Sequence, residues 1–321
     1  MTECALGRYI LRRLVLVVPT IIGVTILVFL MIRLMPGDLV QQISGESAVL
    51  TEEERQEVRD QLGLNRPVLQ QYFVWMGKVI RGDLGTSFQT KVPVTTELKN
   101  RLPVTLELGL LALALSLCVS LPIGVIAAIR QDTVLDYVAR SGAIAFLSIP
   151  SFWMGTMVMV LPSKWWGWAP PLTYEDLWVN PLGNLYMLIF PAAIMGMVLS
   201  GTVMRMTRAQ MLEVLRQDYV RTAWSKGLRE RTVVSRHAIK NAFIPVVTIV
   251  GLQVPILVGG TVILETIFGI PGIGRYLLVS VGSLDYPVVQ AEILIIAMAV
   301  VVTNLAVDVT YAYLDPRIRY G

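Results

Sequence analysis

The stretch Asp218-Tyr-Val-Arg-Thr-Ala-Trp-Ser-Lys-Gly227-Leu-Arg-Glu-Arg-Thr-Val-Val-Ser-Arg-His-Ala-Ile-Lys-Asn241-Ala-Phe-Ile-Pro245 lies between two long apolar runs, Leu185–Met204 and Ala242–Leu264. Its reading decides the fold. A charged side chain at the centre of a spanning helix costs roughly 2.5–3.5 kcal/mol, and here charges recur along the whole segment from Arg205 to Lys240. The segment is therefore not a span. Nor does it read as disordered. Arg229, Arg236 and Lys240 share one helical face, and Val234, Ala238 and Ala242 share another. Upstream, Arg205–Lys226 has few helix breakers and mixes good helix formers with Met211, Leu212, Leu215, Tyr219 and Ala223. The expectation is two helices meeting at Gly227, which tolerates a left-handed or close-packed conformation. Pro245 is expected to mark the start of the next span.

Around this segment the chain is apolar. It has 321 residues, 55% hydrophobic and 16% charged, with a mean hydropathy of +0.64. Six runs approach the roughly 20 residues that a helix needs to cross a bilayer. They are Tyr9–Ile32, Val104–Ile129, Tyr137–Leu161, Leu185–Met204, Ala242–Leu264 and Val289–Val309. The class expected is an all-α integral membrane protein of about six spans. Leu14–Ile32 is too long for the apolar core of a signal peptide, so the first run reads as a retained span. Bases cluster at Arg8, Arg12 and Arg13, at Arg130 and Arg140, along 205–240, and at Arg317 and Arg319. With six spans all of them fall on one side, which the positive-inside rule makes cytosolic, with both termini.

The same distribution excludes other classes. The net charge of +4 sits in short loops beside spans, which argues against nucleic acid. Cys4 and Cys118 are the only cysteines and His237 is the only histidine. Neither a disulfide framework nor a His or thiolate metal site is expected. An intramembrane Ser–His protease would need its histidine inside the membrane, and His237 lies in the charged stretch. A secondary transporter or channel would favour internal repeats or charge relays at membrane depth, and no clear repeat is visible. No Gly-x-x-x-x-Gly-Lys-Ser/Thr phosphate loop occurs, so the chain is not itself an ATPase.

Three regions are delimited. They are a tail and first span (1–34), an extracytoplasmic helical loop (35–103), and a core (104–321) that includes the cytosolic loop 205–241. In the external loop, Thr51-Glu-Glu-Glu54 has capping-box spacing, with Val58 and Leu62 following on one face and Gly63 placed to end a helix. Pro67 can open a second helix, with Leu69, Phe73, Met76 and Ile80 on one stripe. A passive cap and direct substrate contact are both open roles. The segment 265–287 is apolar but too rich in Gly and Pro to span, and a short helix is expected over Arg275–Gly282. Irregular backbone at membrane depth needs protein or a water-filled cavity around it. An outer gate and a plain turn both fit. Gly196 and Ser200 have the small-x-x-x-small spacing of helix contacts. Met187, Met195, Met197 and Met204 read as packing. Glu265, Glu292 and Asp308 are ionisable groups near span ends, which invite a functional hypothesis.

One set of motifs points further. Tyr219-Val-Arg221-Thr222-Ala223-x-x-Lys226-Gly227, followed by Asn241-Ala-x-x-Pro245, resembles the cytoplasmic loop of ABC importer permeases. More narrowly it resembles the dipeptide/oligopeptide/nickel family, in the first (DppB/OppB-like) of its two paired subunits. The likeness covers nearly the whole chain. It includes Pro36-Gly-Asp38, Gly82-Asp-Leu-Gly-Thr-Ser87, Leu102-Pro-x-Thr-Leu-Glu-Leu108, Ser148-Ile-Pro-Ser-Phe152, Arg205-x-Thr-Arg208 with Met211-Leu-Glu213, Glu265-x-Ile-Phe268 with Pro271-Gly272-x-Gly274, and Asp308 with Tyr311-x-Tyr-Leu-Asp-Pro-Arg317. The broad signature of such loops begins Glu-Ala-Ala. Arg221-Thr222-Ala223 departs from it in the way usual for the peptide branch.

The resemblance implies the type I ABC importer permease fold in a bacterial cytoplasmic (inner) membrane. It makes the helix around Gly227 a coupling helix, docked in a groove on a cytosolic ATPase. The coupling residues would be Tyr219, Arg221, Thr222, Ala223, Lys226, Gly227, Asn241 and Pro245. A candidate outer gate would use Glu265, Phe268, Pro271, Gly272 and Gly274. Implied partners are a homologous second permease, two ABC ATPases or a fused pair, and an extracytoplasmic substrate-binding protein. The chain itself would hold no cofactor, and ATP with magnesium would be used by the ATPases. Peptide is the cargo implied first, with nickel complexes, glutathione or haem as alternatives.

Overall fold

The computed structural model describes residues 2–34 and 65–314, together with Glu53 and Gln56. The expected helix over 51–62 lies, but for those two residues, outside the described part. So do Pro36-Gly-Asp38, the C-terminal Asp315-Pro-Arg317 and the side chain of Asp308. The described elements are helical, and they are named here in chain order: α1 (Thr2–Leu34), α2 (Val68–Ile80), α3 (Val94–Ile129), α4 (Val134–Ser148), α5 (Ser151–Trp166), α6 (Pro181–Leu215), α7 (Asp218–Ser225) and α8 (Glu230–Thr232). A π-helical turn (Val233–Ala238) follows, then α9 (Ile239–Ile267), α10 (Ile273–Gly282) and α11 (Tyr286–Leu314).

Four helices among the described residues are long and apolar enough to cross a membrane: α3, α6, the helix running on from Glu230, and α11. A bent pair, α4 with α5, makes a fifth, and α1 contributes a shorter apolar segment, Val15–Met31. The expected span Tyr137–Leu161 is therefore corrected: it is two helices meeting at 90°. The cause is Pro150. It has no N–H to donate back along a helix, and its ring pushes the preceding residue out of the α region. Ile149 is extended (φ −87°, ψ 122°), and so is Pro150 (φ −62°, ψ 134°). The Ser148–Phe152 motif is thus the break itself. Helix α3 also begins at Val94, ten residues before the expected span, and runs on through Pro103 and Pro122.

Helix α6 is the central member. Its apolar window is 67% buried, against 22–33% for the other three single-helix spans. Asn180 caps it by accepting the Gly183 N–H at 3.1 Å, with Pro181 at the first position. Its neighbours approach through small residues. A Cβ on Gly196 would stand 2.9 Å from the Ala112 carbonyl of α3, and one on Gly201 2.8 Å from the Ala143 carbonyl of α4. Such close backbone approach is how apolar helices gain contact where lipid competes equally for their side chains. The main core then forms from Val104, Leu108 and Ala112 of α3, Met187 through Leu199 of α6, and Leu257 and Leu264 of α9. Met187, Met195 and Met204 are buried, as packing residues should be, whereas Met197 is exposed.

Candidate functional site

Between α6 and α9 the chain does not form two helices meeting at Gly227. It breaks earlier as well. Arg216 and Gln217 turn after α6, and α7 is a separate helix of eight residues. Gly227 then ends α7 with φ +74°. The Gly227 N–H reaches the Trp224 carbonyl (2.9 Å) and the Leu228 N–H reaches the Ala223 carbonyl (3.4 Å). This is the Schellman pairing, which places a residue in the left-handed region at the helix exit. A Cβ on Gly227 would meet nothing within 4 Å. The glycine therefore serves backbone conformation, not close approach within this chain.

Helix α7 has two faces. Val220 and Ala223 are buried against Val233, with Val214 and Leu215 of α6 packed around them. The same Val214 and Leu215 also pack against a second cluster, which joins Ala128 of α3, Met211 of α6 and Val234, Ala238 and Ala242 of the α9 arm. An unbroken apolar path thus runs from α7 into three spanning helices. The other face is open: Tyr219, Arg221, Thr222, Trp224 and Lys226 are exposed, as is Gly227. Arg221 and Asp218 approach to 3.9 Å while both are largely solvated, which binds neither side chain firmly.

Two of the expected residues are brought together from opposite ends of the loop. Asn241 donates its side-chain N–H to the Tyr219 hydroxyl at 2.8 Å, and the Tyr219 hydroxyl and Asn241 amide both lie 3.4 Å from the His237 carbonyl. The bonded group spans the π-helical turn, an unusual local geometry common at functional sites. Pro245 lies inside α9, six residues after its start, and not at the entrance to it.

Beside this loop is a bond that sequence reading missed. Arg208 on α6 grips Asp136 at the start of α4 through two parallel hydrogen bonds, Nε to Oδ1 (2.6 Å) and Nη2 to Oδ2 (2.7 Å). The Asp136 side chain is fully buried and that of Arg208 is 17% exposed. The Asp132 N–H adds a third donor to Asp136 at 3.1 Å, with Asp132 itself at φ +59°. In the sequence Arg208 reads as one base among those fixing orientation and as part of the Arg205-x-Thr-Arg208 motif, with no partner indicated. A carboxylate one turn into an apolar helix was the signal available for Asp136.

At the opposite end, Gly272 and Gly274 of the expected outer gate lie against Glu265, whose side chain is fully buried. Its carboxylate accepts the Thr105 hydroxyl (2.7 Å) and the Arg275 backbone N–H (2.8 Å), and Thr105 in turn accepts the Ile273 N–H (2.9 Å). Glu265 thus caps the free N–H groups at the start of α10 and sits at the favourable end of its dipole. Gly272 and Gly274 leave the room it needs. A Cβ on Gly272 would collide with the carboxylate, and one on Gly274 would stand 3.0 Å from it. Phe268 is buried in the main core, and Pro271 is half-buried. Gly269 closes α9 at φ +69° with the same Schellman pairing as Gly227. In the sequence Thr105 stands only as a member of the Leu102–Leu108 motif, and nothing local marks it as a bridge. Glu292, by contrast, is buried with no hydrogen-bond partner on either oxygen among the described residues. Further out, Asp285 accepts the Ser87 hydroxyl and the Phe88 (3.0 Å) and Gln89 (3.3 Å) N–H groups, fastening the hairpin before α3 to the α10–α11 turn.

A two-faced helix held by apolar contact to three spans thus leaves Tyr219, Arg221, Trp224 and Lys226 open. Comparison with known sequences decides its family. Residues 120–320 match the family described as binding-protein-dependent transport system inner membrane component, and residues 6–109 match the N-terminal region of such membrane components. The chain belongs to this permease family. Among its relatives, the dipeptide transport system permease protein DppB of Escherichia coli K12 is 39% identical over 336 residues, covering 98% of this chain and 99% of the relative. The DppB of Alkalihalophilus pseudofirmus is 38% identical over 332 residues, covering 97% and 99%. The permease is accordingly a multi-pass component of the inner membrane, and α7 falls inside the matched region.

Proposed function

We propose that this permease is the DppB-like half of an ATP-driven peptide importer and that α7 is its coupling helix. The observation that carries the proposal is the apolar path from Val220 and Ala223 through Val214 and Leu215 into α3, α6 and α9, beneath an open face that bears Arg221 and Lys226. The basic end faces the cytosol. There, two ATPase subunits, or a fused pair, close on ATP and magnesium and push α7. A homologous second permease supplies the other half of the pathway, and an extracytoplasmic binding protein delivers the cargo. Two conformations that differ in affinity for ATPase state and cargo are required. The packed cluster at Glu265 is the outer gate in its closed arrangement, and opening would separate α10 from Thr105. Peptide cargo rests on the relatives' names, with nickel complexes, glutathione and haem as alternatives of the same machinery.

The test uses the whole complex purified from native membranes and reconstituted into vesicles. ATP-dependent uptake of a labelled dipeptide is expected, together with ATPase and binding-protein subunits in the complex. Replacing residues 219–227 with a flexible neutral linker should abolish uptake and release the ATPases. Undiminished uptake after that replacement, or uptake that persists without ATP hydrolysis, overturns the coupling assignment. The small molecules retained by the co-purified binding protein identify the cargo, and an absence of peptide there overturns the peptide reading alone.

A further inference from the structure

We infer that α2 is an amphipathic helix embedded in the membrane leaflet opposite the basic end, with its outward stripe against acyl chains. The starting point is depth. Helix α2 touches the rest of the described structure chiefly through α1. The Tyr72 hydroxyl is bonded to the Thr25 hydroxyl at 2.9 Å, and the Tyr72 and Trp75 rings lie 5.3 and 5.7 Å from that of Phe29. The described apolar segment of α1 reaches Met31, and the next charged residue is Arg33. Thr25 lies six residues before Met31, about 9 Å down the helix at 1.5 Å per residue. Helix α2 is therefore held below the end of the apolar segment and not above it.

The faces of α2 agree with that placement. Tyr72 and Trp75 are half-buried against α1, and Met76 and Val79 are half-buried beside them on the helix. Next to them runs a stripe at helical spacing, Leu69, Phe73 and Ile80, which are 69%, 64% and 78% exposed. The far side bears the exposed Gln70, Lys78 and Arg81, with Val74 between them. No acidic residue occurs from Arg66 to Gly82, so the polar side is purely basic, as suits phosphate headgroups. The stripe also continues a surface already turned away from the protein, since Leu27, Leu30 and Met31 of α1 are exposed at the same level. Gly82, at φ +80°, ends α2 with a Schellman turn and sends the chain back toward the Asp285-fastened hairpin. An incoming binding protein would have to reach beneath the membrane surface to cover this stripe. A second permease could cover it from the side, and the experiment separates that case. The inference rests on the membrane location of the permease, not on its cargo.

Single-cysteine variants of the complete transporter, with Cys4 and Cys118 replaced, carry a nitroxide at Leu69, Phe73 or Ile80 and, separately, at Gln70, Lys78 or Arg81. In vesicles of neutral and anionic phospholipid, collision with oxygen reports acyl chains and collision with a water-soluble nickel chelate reports solvent. The first three sites should favour oxygen several-fold over the chelate, and the second three should reverse the ratio. Chelate-accessible labels on both faces overturn the inference by placing α2 in water. Labels at 69, 73 and 80 that are immobile and shielded from both reagents overturn it by assigning the stripe to a protein partner. A cargo other than peptide leaves all of these readings unchanged.

Discussion

Removing one side of the Asp136–Arg208 pair should destabilise the permease unequally, depending on which charge is left behind. Breaking a buried ion pair by deleting one partner costs about 3–5 kcal/mol, because the surviving charge stays in a poorly solvated site. Asp136→Asn leaves Arg208, whose side chain is 17% exposed. Water reaches it, so the low end of the range applies, about 3 kcal/mol. Arg208→Gln leaves Asp136, which has no exposure and, among the described residues, retains only the Asp132 N–H as a hydrogen-bond donor, at 3.1 Å. The high end applies there, about 5 kcal/mol. The double variant holds no uncompensated charge and should be less impaired than Arg208→Gln alone. Detergent-purified complexes are heated in steps, and the fraction that remains monodisperse is measured. The result is taken as a rank order, because unfolding of a multi-helix complex is not two-state. The expected order of midpoints is wild type, then Asp136→Asn, with Arg208→Gln lowest and the double variant above it. A double variant as impaired as the two single losses added together would show that the two residues act independently, and the reasoning would fail.

Three further outcomes follow from the geometry. Gly272→Ala should be far more damaging than Gly227→Ala in the same thermal assay: the first drives a methyl into the Glu265 carboxylate, whereas the second meets open space and costs only the left-handed backbone, about 1–2 kcal/mol. Equal losses would remove the steric argument. Thr105→Val should lower the midpoint and Thr105→Ser should restore it, since valine leaves both the Ile273 N–H and one Glu265 oxygen unpaired at about 1–3 kcal/mol each; a valine variant as stable as the serine one contradicts the bridge. Tyr219→Phe deletes the acceptor of Asn241 at an exposed site, so the midpoint should move little while the ratio of cargo moved to ATP hydrolysed falls in reconstituted vesicles; an unchanged ratio excludes this bond from coupling.

Much of the architecture was legible along the chain because it depends on near neighbours in sequence. Apolar runs long enough to cross the membrane announce themselves. So does the Pro67 start of α2, with the helix observed over Val68–Ile80. The segment after Arg275 was expected to be helical to Gly282 and is so from Ile273. Val234, Ala238 and Ala242 were placed on one face, and that face is buried. Where the reading failed locally, competing local effects decided. Pro150 broke the third span in two, although other prolines stay within helices, because here the preceding Ile149 also takes the extended conformation. The turn at Arg216–Gln217 and the π-helical turn left no comparable mark in the residues.

The sequence alone determined that the chain is helical, membrane-bound and interrupted by one ordered basic segment, because burial of apolar faces and the backbone preferences of Gly and Pro act over a few residues. Tertiary structure alone decided the partners: Arg208 with Asp136, Thr105 with Glu265, and Ser87 with Asp285 are 72, 160 and 198 residues apart. No helical period specifies which helices become neighbours, or which buried polar group finds another. The first pairing exists because Gly201 lets α4 close on α6. A polar side chain taken out of water must then be satisfied by whatever that closure brings within reach.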